Sequence, residues 1–170
     1  MNNIELVKKA KKGDNDAFTQ LYVQYANDLY RFALYYMSNT TDAEDAVQEA
    51  LLAAYKALPN IRKESAFKSW LFKILSNTCK KMLIKRKERA TGSLDDIIYK
   101  TAEENTDLIT EMTLENALSK LKPEAREIVL LSVIGGYSSK EVGKIVGRKD
   151  STVRSVLSRS LEKLREFMEE

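Results

Sequence analysis

Along most of the chain apolar residues return at every third or fourth position, the spacing of helices that bury one face. Ile4 to Lys12 forms a short first segment, closed by Gly13. From Asp16 onward, Phe18, Leu21, Tyr22, Tyr25, Leu29, Phe32, Ala33 and Tyr36 step along one face of a long helix. Ser38-Asn39-Thr40 breaks the pattern, and Thr41 is the expected cap of the next helix, with Glu44 placed to complete a capping box. There Ala43, Ala46, Val47, Ala50, Leu51 and Ala54 make the stripe, and Pro59 stops it. Ser65 is the expected cap of a further helix whose stripe is Phe67, Trp70, Leu71, Ile74, Leu75, Thr78 and Met82. Amphipathic helices joined this closely predict one bundle, ending near Arg89.

Residues 90–112, ATGSLDDIIYKTAEENTDLITEM, lose the stripe and collect Thr, Asp, Glu and Gly. They read as a linker, extended or partly helical. Beyond it Leu114, Ala117, Leu118 and Leu121 predict a short helix. Pro123 suits the first turn of another that runs to Ile134 and ends at Gly135-Gly136. Ser138 with Glu141 makes a capping box, and Val142, Ile145 and Val146 turn inward. Gly147 closes that helix, Asp150 or Ser151 caps the last one, and Val153, Val156 and Leu157 face back. Small Gly143 allows two helices to cross closely, and Gly147 supplies a turn that other residues resist. This is helix-turn-helix spacing. The expected fold is all-α: two small helical domains, 1–89 and 113–170, joined by an acidic linker at 90–112.

Composition narrows the function. Only 6 Gly and 2 Pro occur in 170 residues, which fits long helices and short connections. His is absent and Cys79 is the single cysteine, so neither a zinc site nor a His-based triad can be assembled. Cys79 itself is expected on a buried helix face. No cofactor and no small-molecule substrate are expected, and the chain reads as a non-enzyme. Neither a membrane span nor a secretory signal is legible, which predicts a cytoplasmic protein.

The formal net charge is only +3, but it is strongly segregated. Residues 62–89 carry ten bases against Glu64 and Glu88, residues 90–119 carry seven acids against Lys100, and residues 148–165 return to a net +4. Two basic blocks separated by an acidic one suggest two polyanion-binding modules on a tether. In the first block an aromatic cluster adjoins Lys73, Asn77, Lys80, Lys81, Lys85 and Arg86. Aromatics beside a basic helix face suit unpaired bases, although Trp70 is expected mainly in the core. In the second block Arg154, Ser155, Ser158 and Arg159 stand on the outer face of the second helix of the helix-turn-helix. From there Arg and Ser can reach base edges and phosphates in a major groove. Asp45, Gln48, Glu49 and Leu52 lie opposite the stripe of their own helix, a mixed acidic and apolar strip. Two functions fit parts of this pattern: a dimeric helix-turn-helix regulator that binds DNA by itself, and a helical protein-interaction adaptor.

Three stretches together, DAEDAVQEALLAAY, SAFKSWLFKILSNT and LSKLKPEAREIVLLSVIGGYSSKEVGKIVGRKDSTVRSVLSRSLEKLRE, resemble an extracytoplasmic-function sigma factor of the sigma-70 family, in the expected order over nearly the whole chain. The resemblance implies a subunit that directs bacterial core RNA polymerase to promoters and helps to melt them. It implies contact with the polymerase clamp helices through Asp42, Asp45, Gln48, Glu49, Leu52 and Tyr55. The minus-ten element would fall to Asn60, Arg62, Lys63, Ser65, Lys73, Asn77, Lys80, Lys81 and Lys85. The loop from Asn60 to Ser65 would rim a pocket for a flipped base. The minus-thirty-five element would fall to Ser151, Thr152, Arg154, Ser155, Ser158 and Arg159. An anti-sigma factor is a further implied partner. The chain departs from the family pattern at Ala46, Arg148 and Val156; Arg148 stands where an apolar residue would plug the turn, and is expected to reach outward to a phosphate or leave the turn loosely packed.

Overall fold

The computed structural model describes residues 2–92 and 113–169, and every regular element among them is helical. Helix α1 spans Asn3–Lys11, α2 Asn15–Met37, α3 Thr40–Ala57 and α4 Phe67–Gly92. Two single turns of 3-10 helix, Leu58–Asn60 and Glu64–Ala66, connect α3 to α4. After the interval come α5 (Leu114–Ser119), α6 (Pro123–Val133), α7 (Ser139–Val146) and α8 (Asp150–Glu169). The tether expected at 90–112 lies outside the described residues from 93 onward; at its start α4 continues to Gly92.

The stripes do what their spacing demands. Phe32 and Tyr36 of α2, Ala43, Ala46 and Ala54 of α3, and Phe72 and Cys79 of α4 are fully buried. Alanines on the inner face of α3 let it lie close to α2 and α4, while aromatics on the other two fill the remaining space. Phe32 meets Phe72 edge to face, centroids 6.1 Å apart, the arrangement that favours ring quadrupoles. Thr78 is nearly buried and bonds the Ile74 carbonyl, so its hydroxyl is satisfied within its own helix. Burial pushes the Cys79 thiol up to about 12, the behaviour of a core residue rather than a nucleophile.

The caps differ from expectation in three places. Asn39 caps α3 by accepting from the Asp42 N–H, so Thr41 lies inside the helix. The cause is Ser38, whose left-handed backbone (φ 58°) turns the chain two residues early. Ser65 sits within a 3-10 turn and caps nothing; α4 starts at Phe67. Asp150 and Ser151 are both already inside α8. The second capping box is as expected: Ser138 and Glu141 bond each other's backbone N–H at 3.1 and 3.2 Å.

In the C-terminal half Leu118, Ile128, Leu131, Val142 and Val153 form the interior. A Cβ on Gly143 would lie 2.6 Å from the Arg148 carbonyl oxygen, so α7 and the turn approach at glycine distance. Gly147 takes φ 74° at the turn itself. Arg148 does project outward, but its Nε donates to Glu124 Oε1 at 2.6 Å and ties the turn to α6.

The halves also touch each other, which the sequence pattern had not foreshadowed. α2 packs against α5 and α6, and α4 against α6. Arg126 of α6 is buried, and its Nη1 donates to the Tyr36 carbonyl at 2.6 Å. Its Nε and Nη2 donate to the carbonyls of Leu118, Ser119 and Leu121, satisfying the open C-terminal end of α5.

Candidate nucleic-acid and protein interfaces

Three groups of side chains were expected to make contacts, and each has its own element. On α3 the buried stripe fixes the helix rotation, and Asp45, Gln48, Glu49 and Leu52 consequently face solvent. Leu52 is 63% exposed, a large apolar residue held in water beside a polar strip. Asp42 and Tyr55, at the ends of the strip, are engaged within the fold. Arg86 Nη1 approaches Asp42 Oδ2 at 3.2 Å, and Tyr55 donates to Asn15 Oδ1 at 2.8 Å while its ring meets Phe18 edge to face.

The second group lies on the loop before α4 and along α4. Asn60, Arg62, Lys63 and Ser65 are exposed, whereas Ile61 between them is buried and anchors the loop. Lys73, Asn77 and Lys81 are exposed on α4. Trp70 is half-buried against Phe67 and borders a cleft with Lys73, so it is only partly the core residue expected. Two members depart from the group. Lys85 lines a cleft with Asp42, Asp45 and Glu49, on the side of the α3 strip. Lys80 makes a 2.8 Å ion pair with Glu127 of α6.

The third group is the most concentrated. Ser151, Arg154, Ser155, Ser158 and Arg159 line one shallow concavity on α8, and Thr152 is exposed beside it. Arg154 and Asp150 are one helical turn apart at 3.7 Å, and Arg159 Nε donates to the Ser155 carbonyl at 3.3 Å. Both contacts are solvent-exposed and cost little to exchange for another partner. Val153 is buried beneath them, with Val156 and Leu157 packed against the core.

Several residues of consequence carried no obvious mark in the sequence. Lys11 of α1 reaches across fifty positions to donate to the Ile61 carbonyl at 3.1 Å and to Glu64 Oε1 at 3.4 Å, holding both ends of the Arg62-Lys63 tip. Glu64's own backbone N–H, and then Lys11, hold its carboxyl below the usual range. Lys68 donates to the Gly135 carbonyl at 2.8 Å and lies over the Tyr137 ring. Arg126 and Glu127 precede four consecutive buried residues, Ile128 to Leu131, and are buried with them. A charged pair abutting an apolar run is the one sequence signal that could have found them.

Among the described residues no helix is long and apolar enough to cross a membrane, and no cluster of acidic or cysteine side chains could hold a metal ion. Comparison with known proteins bears on the arrangement as a whole. The profile of Sigma-70 region 2 matches residues 21–89 and that of Sigma-70, region 4 matches residues 111–164. The ECF RNA polymerase sigma factor SigM of Mycobacterium tuberculosis is 31% identical over 163 residues, covering 96% of this chain and 83% of SigM. The ECF RNA polymerase sigma-E factor of Escherichia coli is 31% identical over 172 residues, covering 92% of this chain and 89% of that protein. Among solved structures, CnrH in complex with the cytosolic domain of CnrY matches with a TM-score of 0.74 at 24% identity, over 98% of this chain and 97% of that one. RpoE in complex with the anti-sigma factor NepR, from Bartonella quintana, gives 0.72 at 24% identity, over 89% and 96%. At such identity these two structures establish a shared fold.

Proposed function

The chain belongs to the sigma-70 family, in its extracytoplasmic-function group, and from that premise we propose how its three exposed faces divide the work. As a sigma factor it directs core RNA polymerase to promoters. The α3 strip, with Asp45, Gln48, Glu49 and Leu52, is the contact for the polymerase clamp helices, flanked by Asp42 and Tyr55. The exposed loop residues Asn60, Arg62, Lys63 and Ser65, with Lys73, Asn77, Lys80 and Lys81 on α4, take the minus-ten element. Lys85, beside the acidic cleft, serves as a bridge between the two surfaces. The α8 concavity takes the minus-thirty-five element, with Arg154 nearer the helix start and placed to reach bases. The observation that carries the division is the convergence of Ser151, Arg154, Ser155, Ser158 and Arg159 on one face of a helix whose other face is buried.

This is a binding role, and the chain acts as a non-enzyme in the cytoplasm, where its polymerase works. An anti-sigma factor is the third partner proposed. The support is an apolar groove between α5, α6 and α8, where Leu114, Val133, Leu161 and Met168 are large and exposed.

Run-off transcription with core polymerase on a promoter library tests the assignment. The wild-type chain should yield promoter-specific transcripts. Gln48→Ala with Glu49→Ala should weaken core binding several-fold. Stability should move by no more than about half a kcal/mol, as for other surface changes. Unchanged affinity for core would remove this strip from the interface.

A further inference from the structure

The minus-ten face of α4 is partly occupied by the chain's own C-terminal half. Glu127 of α6 is 2% exposed, yet its carboxylate receives the Lys80 ammonium at 2.8 Å and the Ser76 hydroxyl of α4. Beside it Phe72 meets Tyr137 edge to face, and Lys68 is held by the Gly135 carbonyl. Lys73 and Trp70 border the same seam, facing Glu141 and Lys144 of α7. We propose that Glu127 is an internal substitute for DNA phosphate: it closes the C-terminal half over α4 in the free chain and must be displaced before the minus-ten strand binds. The inference rests on the reading of α4 as a DNA face.

The chemistry makes the two states mutually exclusive. A phosphate brought to Lys80 meets the Glu127 carboxylate already at 2.8 Å from the ammonium, and the two anions repel across the face that α6 partly covers. A buried carboxylate tolerates its burial only while its donors stay in place. Once a phosphate draws Lys80 away, Glu127 remains desolvated with Ser76 alone, which favours opening and rehydration. Coupling of this kind is reciprocal: whatever opens the halves strengthens DNA binding, and DNA opens the halves. Strand affinity of the free chain is accordingly lowered by the fraction of molecules that are closed.

The test uses the full chain, small-angle X-ray scattering, and anisotropy of a fluorescein-labelled single-stranded DNA pool of mixed sequence. Glu127→Gln keeps the shape of the side chain and a partner for Ser76 but abolishes the ion pair. It should enlarge the radius of gyration and tighten DNA binding by about tenfold, as expected when a mostly closed population is released. Ser76→Ala, which spares the ion pair, should move both readouts the same way by about twofold and carries the test if the glutamine variant loses helicity. Unchanged dimensions and affinity in both variants would overturn the proposal. So would expansion without tighter binding, since the seam would then cover nothing that DNA uses. Run-off transcription by the wild-type chain reports separately on the sigma assignment and is indifferent to the latch.

Discussion

Helices α4 and α8 both offer cations to solvent, but they prepare them in opposite ways. On α8 the exposed set is local: five of its residues line one concavity within nine positions, and their partners lie one turn away on the same helix. On α4 the set is assembled from distant chain. Its preceding loop is held by Lys11 of α1, and Lys80 is held by Glu127 of α6. A local set is available as soon as its helix folds. A distributed set is ready only when remote elements are in place, and those elements can also withhold it. Under the proposed division of work, that contrast gives α8 steady recognition and α4 conditional engagement.

The strongest way to break the contrast is Phe72→Ala. Phe72 is fully buried and touches Phe32 on one side and Tyr137 on the other. The substitution should cost about 3–5 kcal/mol in urea unfolding, the usual range for a core aromatic. Because Tyr137 belongs to the other half, both halves should lose stability together. Destabilisation confined to α1–α4 would show that α4 owes nothing to its distant neighbour. Gly143→Ala addresses the other helix. Its Cβ would press on the Arg148 carbonyl, a backbone atom, and should cost about 1–3 kcal/mol. Use of the minus-thirty-five element should fall while binding of single-stranded DNA to α4 stays unchanged.

Arg154→Ala and Lys81→Ala sharpen the comparison by separating reading from charge. A bidentate arginine on guanine is worth about 1–3 kcal/mol of discrimination, so Arg154→Ala should change the ranking of upstream-element variants. Lys81→Ala should lower every promoter alike and flatten the salt dependence. Transcription from a set of variants at two salt concentrations distinguishes them. If Arg154→Ala scales all promoters equally, Arg154 is a phosphate contact and Ser155 or Ser158 becomes the reader.

The smallest expected effect is acid sensitivity. Ser138 donates from backbone and side chain to hold the Glu141 carboxyl below its ordinary value, and Glu64, at the entry to α4, is lowered as well. For carboxyls lowered in the folded state, the stabilisation is present at neutral pH. It disappears as pH falls through the folded-state pKa. Thermal melts of wild type and Glu141→Gln should therefore differ at neutral pH and converge in acid, below the ordinary carboxylate range. A constant gap across that range would remove the carboxylate from the account.

Periodicity carried most of this architecture. The stripes of α2, α3 and α4 and the Gly143–Gly147 turn required only residue spacing, because a helix fixes which positions share a face. The α8 group was legible for the same reason. Caps were less so: Asn39 and Thr41 both carry suitable oxygens, and only the left-handed turn at Ser38 chooses between them. Partners far apart in the chain were the least legible. Nothing near Lys80 marks Glu127 as its partner, and nothing near Ile61 points to Lys11, since tertiary proximity leaves no local pattern in the residues it joins. Arg148 fell between these cases; its outward direction followed from its charge, but its partner Glu124 did not.

Arg126 has a consequence for how this protein tolerates change. All four of its acceptors, at positions 36, 118, 119 and 121, are main-chain carbonyls. Main-chain oxygens survive any replacement of the side chains attached to them. At Leu118, Ser119 and Leu121 the contact with this arginine therefore survives a change of side chain, whereas Tyr36 also sets its ring against the guanidinium, 5.4 Å from Cζ to the centroid. The arginine has no such latitude, because lysine lacks the planar fork that reaches several carbonyls at once. Arg126 and the Tyr36 ring against it thus carry the side-chain requirement of a junction that the other three positions join through main chain alone.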